Sequence, residues 1–187
     1  MNKGPRIAVL LHNVRSAHNV GSLFRTADAS GVSRIYLTGL TPAPMDRFGR
    51  VQKEIAKTAL GAQRTVAWER YALPRRVIMD LKKQGWEIVG VEQDLRAKDY
   101  RRFKVRKPTL LIFGNEVLGL SKELRAVCDT LIEIPMRGAV VRQVHHPRYT
   151  RCGKESLNVS VAAGIILFAY ISNSRHPPFG LLRPRVG

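Results

Sequence analysis

The chain has little cysteine, little acid and no long apolar run, and each shortage narrows what it can be. Only Cys128 and Cys152 occur in 187 residues, with neither C-x-x-C spacing nor a signal peptide. A disulfide framework is therefore not expected, and a reducing, cytoplasmic setting is. The longest apolar stretch, Val161 to Ile171, falls well short of the roughly 18 to 20 residues a membrane span requires and reads as a buried helix. No lipidation motif or basic amphipathic helix marks either end, so no membrane partner is expected. The absence of G-x-G-x-x-G after the first strand argues against a nucleotide-binding oxidoreductase. Asp and Glu together number 14 against 32 Lys and Arg, leaving a net charge of +18 and a pI near 10.9. That excess is larger than ordinary solubilising surface needs, and a polyanionic partner, nucleic acid above all, is the natural counterpart.

What is present is an apolar content of 44%, enough for one packed domain at this length. Arg6 to Leu11 and Arg34 to Leu37 read as buried strands, with a helix from Val20 to Ser30 between them that stops at Gly31. Thr41 to Arg50, with Pro42, Pro44 and Gly49, must be an irregular loop, and Gln52 to Leu60 reads as a helix. Leu73 to Gln84 is an amphipathic helix, and Trp86 to Val91 and Thr109 to Phe113 are strands separated by the basic stretch Arg96 to Lys107. Ser121 to Val127 is a short helix with Ser121 as N-cap, Leu131 to Ile134 the last strand, and Ser156 to Asn173 the closing helix. Strands alternating with helices predict an α/β fold with a mainly parallel sheet and helices on both faces. The tail 174–187 has too little apolar content to pack and reads as a disordered basic extension.

Three junctions concentrate the chemically capable side chains. They are N-V-R-S-A-H-N-V-G-S-L-F-R from Asn13, L-L-I-F-G-N-E-V-L-G-L-S from Leu110, and I-P-M-R-G from Ile134 with S-L-N-V-S from Ser156. Each sets Asn, Arg, Glu or Ser where an apolar strand gives way to a turn, the place where open α/β sheets bind ligands. In this order they resemble the signature motifs of the SPOUT superfamily of RNA methyltransferases, in its SpoU or TrmH branch, which methylates ribose 2′-oxygens. The N-x-G-x-x-x-R run Asn19 to Arg25 and the F-G-N-E-x-x-G-L-S run Phe113 to Ser121 carry most of the likeness, which covers residues 7 to 171. With the likeness beginning at residue 7, a minimal member of the branch without an N-terminal extension is expected.

The resemblance implies a C-terminal trefoil knot, an S-adenosylmethionine (AdoMet) cofactor, a tRNA or rRNA substrate and a homodimer whose sites draw on both subunits. It implies cofactor contacts from Phe113, Gly114, Asn115 and Gly119, from Ile134, Met136 and Gly138, and from Leu157 and Val159. It makes Arg25 the main catalytic residue, with Asn19, Glu116, Ser156 and Asn158 beside it. A guanidinium with a pKa above about 12 is a poor base, so phosphate clamping and support of a developing alkoxide are the roles its chemistry allows Arg25. Asn19 and Arg25 are six residues apart and are expected to face one pocket. Glu116 is expected to bond Asn19 or Arg25, or to orient the target ribose.

For RNA contact the candidates are Arg15, Arg47, Arg50, Lys53, Arg101 and Arg102, whose phosphate bonds give affinity without sequence information. In one respect the chain departs from the family pattern: residues 139–155 intervene between I-P-M-R-G and S-L-N-V-S. This insertion reads as an added RNA-contacting loop, a disordered excursion, or a segment that impairs cofactor binding. Its His145 and His146 are adjacent and cannot easily converge on one ion, so no metal site is expected. The organisation is thus a methyltransferase domain over 1–173, interrupted at 139–155, and a tail. A catalytically silent RNA-binding or ribosome-assembly protein of the same fold is the rival reading.

Overall fold

The computed structural model describes residues 6–136 and 156–173. Gly138, the insertion 139–155, the knot threading expected there and the tail 174–187 lie outside the described residues. The chain opens with β1 (Ile7–His12), α1 (Ala17–Ala29) and β2 (Arg34–Thr38), then α2 (Lys53–Ala59), α3 (Ala62–Thr65) and β3 (Trp68–Tyr71). Next come α4 (Pro74–Lys83), β4 (Glu87–Val91), the two-residue β5 (Lys98–Asp99) with a 3-10 turn at Tyr100–Arg102, and β6 (Thr109–Phe113). The last elements are α5 (Lys122–Val127), β7 (Thr130–Glu133) and α6 (Val159–Asn173).

The described strands form one sheet in the order β3-β2-β1-β6-β4-β7-β5, every pairing parallel. Parallel strands are covered on both faces, and β6, Thr-Leu-Leu-Ile-Phe, is buried at every position. Side-chain alternation sorts the core into two halves. Ile7, Val9 and Leu11 of β1 and Leu111 and Phe113 of β6 face α1, α2 and α6, where Phe24, Ile55, Ile166 and Leu167 pack. Ala8, Leu10, Leu110 and Ile112 face the other way, onto Val77, Ile78 and Leu81 of α4 and Leu124 of α5.

Some boundaries differ from the sequence reading for physical reasons. α1 begins three residues before Val20, because Ser16 caps it by accepting from the Asn19 backbone N–H at 3.2 Å, although the polar His18 and Asn19 interrupt the apolar signal. α6 begins at Val159 rather than Ser156; its cap is Asn158, whose Oδ1 accepts from the Ser160 N–H (2.9 Å) and hydroxyl (2.7 Å). β3 and β5 have no counterpart in the sequence pattern, since Trp-Glu-Arg-Tyr and Lys-Asp have the polar content of sheet edges. No helix among the described residues is long and apolar enough to cross a membrane.

Candidate active site

The strand order changes direction beside β1. The chain steps outward through β2 to β3, returns to place β4 on the other side, and then inserts β6 between β1 and β4. The crevice beyond the carboxyl ends of such strands is where doubly wound sheets take ligands. A cavity of about 1150 Å³ lies there, lined from the ends of β1, β4, β6 and β7 and from the start of α6. Small-molecule sites run to about 300–1,000 Å³, so this one has room for a cofactor and the edge of a second substrate.

Every described residue expected to contact the cofactor lies on this lining: Phe113, Gly114, Asn115, Gly119, Ile134, Met136, Leu157 and Val159. Asn19, Glu116, Ser156, Asn158 and Arg15 lie there too. A chain of side-chain hydrogen bonds spans three segments far apart in sequence. Asn158 Nδ2 donates to Asn19 Oδ1 at 3.2 Å, and Asn19 Nδ2 donates to Glu116 Oε1 at 3.1 Å. Asn19 is buried on the first turn of α1, and both halves of its amide are thereby satisfied. Glu116 Oε2 is left toward the Arg15 backbone N–H, 3.5 Å away.

The turn after β6 is built by Asn115. Its Oδ1 accepts from the Val117 and Leu118 N–H groups, both at 2.9 Å, and its amide donates to the Asn13 carbonyl at 2.9 Å. Asn13 has a left-handed backbone (φ 58°), a conformation Asn tolerates, and its Oδ1 accepts from Leu40 N at 2.9 Å. Its amide donates to His12 Nε2 at 3.0 Å, which requires the neutral ring, and burial pushes the His12 pKa down accordingly. The turn closes at Gly119 (φ 64°), where any side chain would be strained and a Cβ would lie 2.2 Å from Glu92 Oε2.

Glu92 and Gln93 after β4, and Glu133 at the end of β7, line the cavity without any motif to announce them. Glu92 accepts from the Leu120 N–H and from the Gln93 N–H, so its carboxylate ties the turn to β4. Burial first, then the charges of Asp99 and Asp94, raises the Glu133 pKa. Only their adjacency in the parallel sheet could have revealed them.

Arg25 is not on the cavity lining; it is exposed on α1. Six residues at 3.6 per turn leave its side chain about 120° round the helix from Asn19, so the two do not share a face. Arg47, Arg50, Lys53, Arg101 and Arg102 are all exposed and stand off the lining. Two of them are already paired: Arg50 Nε with Asp46 at 2.7 Å, and Arg101 with Asp99.

Comparison with known proteins decides what this arrangement belongs to. The SpoU rRNA Methylase family matches residues 6–142. The chain belongs to that family. A relative, the 23S rRNA (guanosine-2′-O-)-methyltransferase RlmB of Ralstonia nicotianae, is 34% identical over 170 residues, covering 89% of this chain and 58% of its own. The chain thus spans less than two thirds of that relative's length. The AdoMet-bound rRNA methyltransferase of Sinorhizobium meliloti superposes with a TM-score of 0.76 at 28% identity, over 93% of this chain and 59% of the other. The TrmH/SpoU tRNA modifying enzyme of A. aeolicus gives 0.71 at 28% identity, over 91% and 76%. The parallel sheet with its helices matches the fold of these SpoU structures.

Proposed function

We propose that this chain transfers the methyl group of AdoMet to a ribose 2′-hydroxyl of tRNA or rRNA at the cavity bounded by Asn19, Glu116 and Asn158. The observation that carries this reading is the hydrogen-bonded chain through those three residues, on the same cavity wall as every described candidate for cofactor contact. When bound, AdoMet supplies an activated methyl on a positively charged sulfur. The wall suits such a group: it carries the carboxylates of Glu92, Glu116 and Glu133 against one described cation, Arg15, with apolar surface from Phe113, Ile134, Leu157 and Val159. The turn 114–119 offers backbone N–H and C=O groups for an adenosine.

The protein's own contribution is positioning. Asn158 fixes Asn19, Asn19 fixes Glu116, and Glu116 accepts from and orients the target hydroxyl; alignment of this kind supplies much of the rate for a donor that is already activated. Gly138 would complete the cofactor contacts from the third junction.

The reading extends to a homodimer. α6 is apolar nearly all round, and while Ala163, Ile166, Leu167 and Tyr170 are buried in the core, Val161 and Ile165 are exposed one turn apart (50% and 36%). A helix hydrophobic on every side belongs in an interior, and a second copy supplies one. Arg25, off its own cavity, then serves the partner's as a phosphate clamp. The family's knot, a domain over 1–173 with its insertion at 139–155, an RNA-binding surface including Arg15, Arg47, Arg50, Lys53, Arg101 and Arg102, and a cytoplasmic location belong to the same reading.

Calorimetry with AdoMet separates this enzyme from a silent RNA-binding protein. Saturable binding by wild type, retained in Arg25→Ala while methyl transfer to bulk RNA is lost, is the expected result. No binding by the wild type would sink the reading in favour of its rival.

A further inference from the structure

Between β2 and α2, residues 41–51 hold an aromatic ring out in water on a loop that is anything but loose. Phe48 is 66% exposed. Asp46 organises the turn beneath it: Oδ1 accepts from the Phe48 and Arg50 N–H groups at 2.8 and 2.9 Å, and Oδ2 accepts from Arg50 Nε at 2.7 Å. The Asp46 N–H donates to the Arg50 carbonyl at 3.0 Å, Met45 and Val51 form an antiparallel bridge, and Gln52 N–H donates to Pro44 O at 2.9 Å. The Arg47 and Arg50 guanidinium carbons lie 4.7 and 5.1 Å from the Phe48 ring centre. Between Thr41 and Lys53 the cations Arg47, Arg50 and Lys53 outnumber the single acid Asp46 by two.

A solvated, cation-flanked aromatic on a braced loop is the arrangement that binds unpaired nucleobases, by stacking and by guanidinium contact together. The loop is also joined to the cavity. Leu40, at its base, donates its N–H to Asn13 Oδ1, and the Asn13 carbonyl holds Asn115. Thr41 Oγ1 accepts from the Val14 N–H at 3.2 Å and donates to Leu11 O at 3.0 Å.

We infer that Phe48 is a stacking platform for an unpaired base of the RNA substrate, with Arg47 and Lys53 taking the neighbouring phosphates. The inference rests on the RNA-directed activity proposed above and adds to it the single-stranded character of the substrate near the site.

The test is fluorescence anisotropy on the full chain, with a labelled unstructured RNA and a labelled blunt RNA duplex of equal length, titrated over a salt series. Phe48→Ala should weaken single-strand binding by about 5- to 150-fold, leave duplex binding and the salt slope unchanged, and be rescued by Phe48→Trp. Arg47→Ala should reduce the single-strand salt slope by about 0.7. Wild-type RNA binding with equal single-strand affinity for Phe48→Ala overturns the inference alone. So does a loss accompanied by a change in oligomeric mass on light scattering, which would make the loop an interface between copies. A wild type that binds neither RNA overturns the RNA-directed reading and this inference with it.

Discussion

Asn158 does two jobs with one side chain, and they can be pulled apart. Its Oδ1 caps α6 through Ser160, while its Nδ2 bonds Asn19 and so sets the carboxylate of Glu116. Asn158→Ala removes both, and should cost about 1 kcal/mol of stability as a lost cap and about 10²-fold in methyl transfer as a lost positioning bond. Asn158→Asp keeps the acceptor and loses the donor. It should unfold near the wild-type temperature and yet transfer as poorly as Asn158→Ala; thermal unfolding and a transfer assay on both variants check this. The motifs named Glu116 and Asn19 but left the partner of Glu116 open between Asn19 and Arg25, and the fold selects Asn19. The Arg25 phase was not legible: with the helix read as starting at Val20, Asn19 and Arg25 could face one pocket, whereas α1 runs unbroken from Ala17 to Ala29 and turns them apart.

At the scale of elements, the glycine of the first motif is explained by packing rather than by a ligand. A Cβ on Gly21 would lie 1.9 Å from Thr58 Oγ1 and 2.5 Å from the Ile55 carbonyl, so α1 meets α2 where no side chain fits. Because one obstacle is backbone, relief by a rotamer change is closed, and Gly21→Ala should destabilise by about 1–3 kcal/mol, read as a lowered unfolding temperature. At the far edge of the sheet, the Arg101 side chain and its backbone N–H hold the Asp99 carboxyl down to about 2, from an ordinary 3.8. A carboxylate whose folded pKa is depressed stabilises fully above its unfolded value and loses that contribution as pH falls through the folded one. The difference in melting temperature between wild type and Asp99→Asn should therefore be constant above about pH 4, shrink between pH 4 and 2 and vanish below. A scan of melting temperature against pH decides it. The buried strands were readable from unbroken apolar runs, β6 to the residue. The edge strands β3 and β5 were not, because polar side chains at an edge carry no period that separates them from loop.

For the molecule as a whole, composition pointed to a polyanion and motif order to a methyltransferase, but only the sheet shows why four strand ends share one cavity. Glu92, Gln93 and Glu133 join the site because β4 and β7 lie next to β6 in space, a consequence of topology that no local spacing encodes. The +18 charge is spread over the chain, so RNA affinity is expected to be salt-sensitive while the site of methylation is set by the cavity. The central claim concerns that cavity, and nucleoside analysis of RNA incubated with the protein and labelled AdoMet tests it most directly. Wild type should deposit label in 2′-O-methylnucleosides, and Glu116→Ala should deposit about 10²-fold less while still binding AdoMet. Label on a base, or equal labelling by Glu116→Ala, would contradict the assignment of this cavity to ribose methylation.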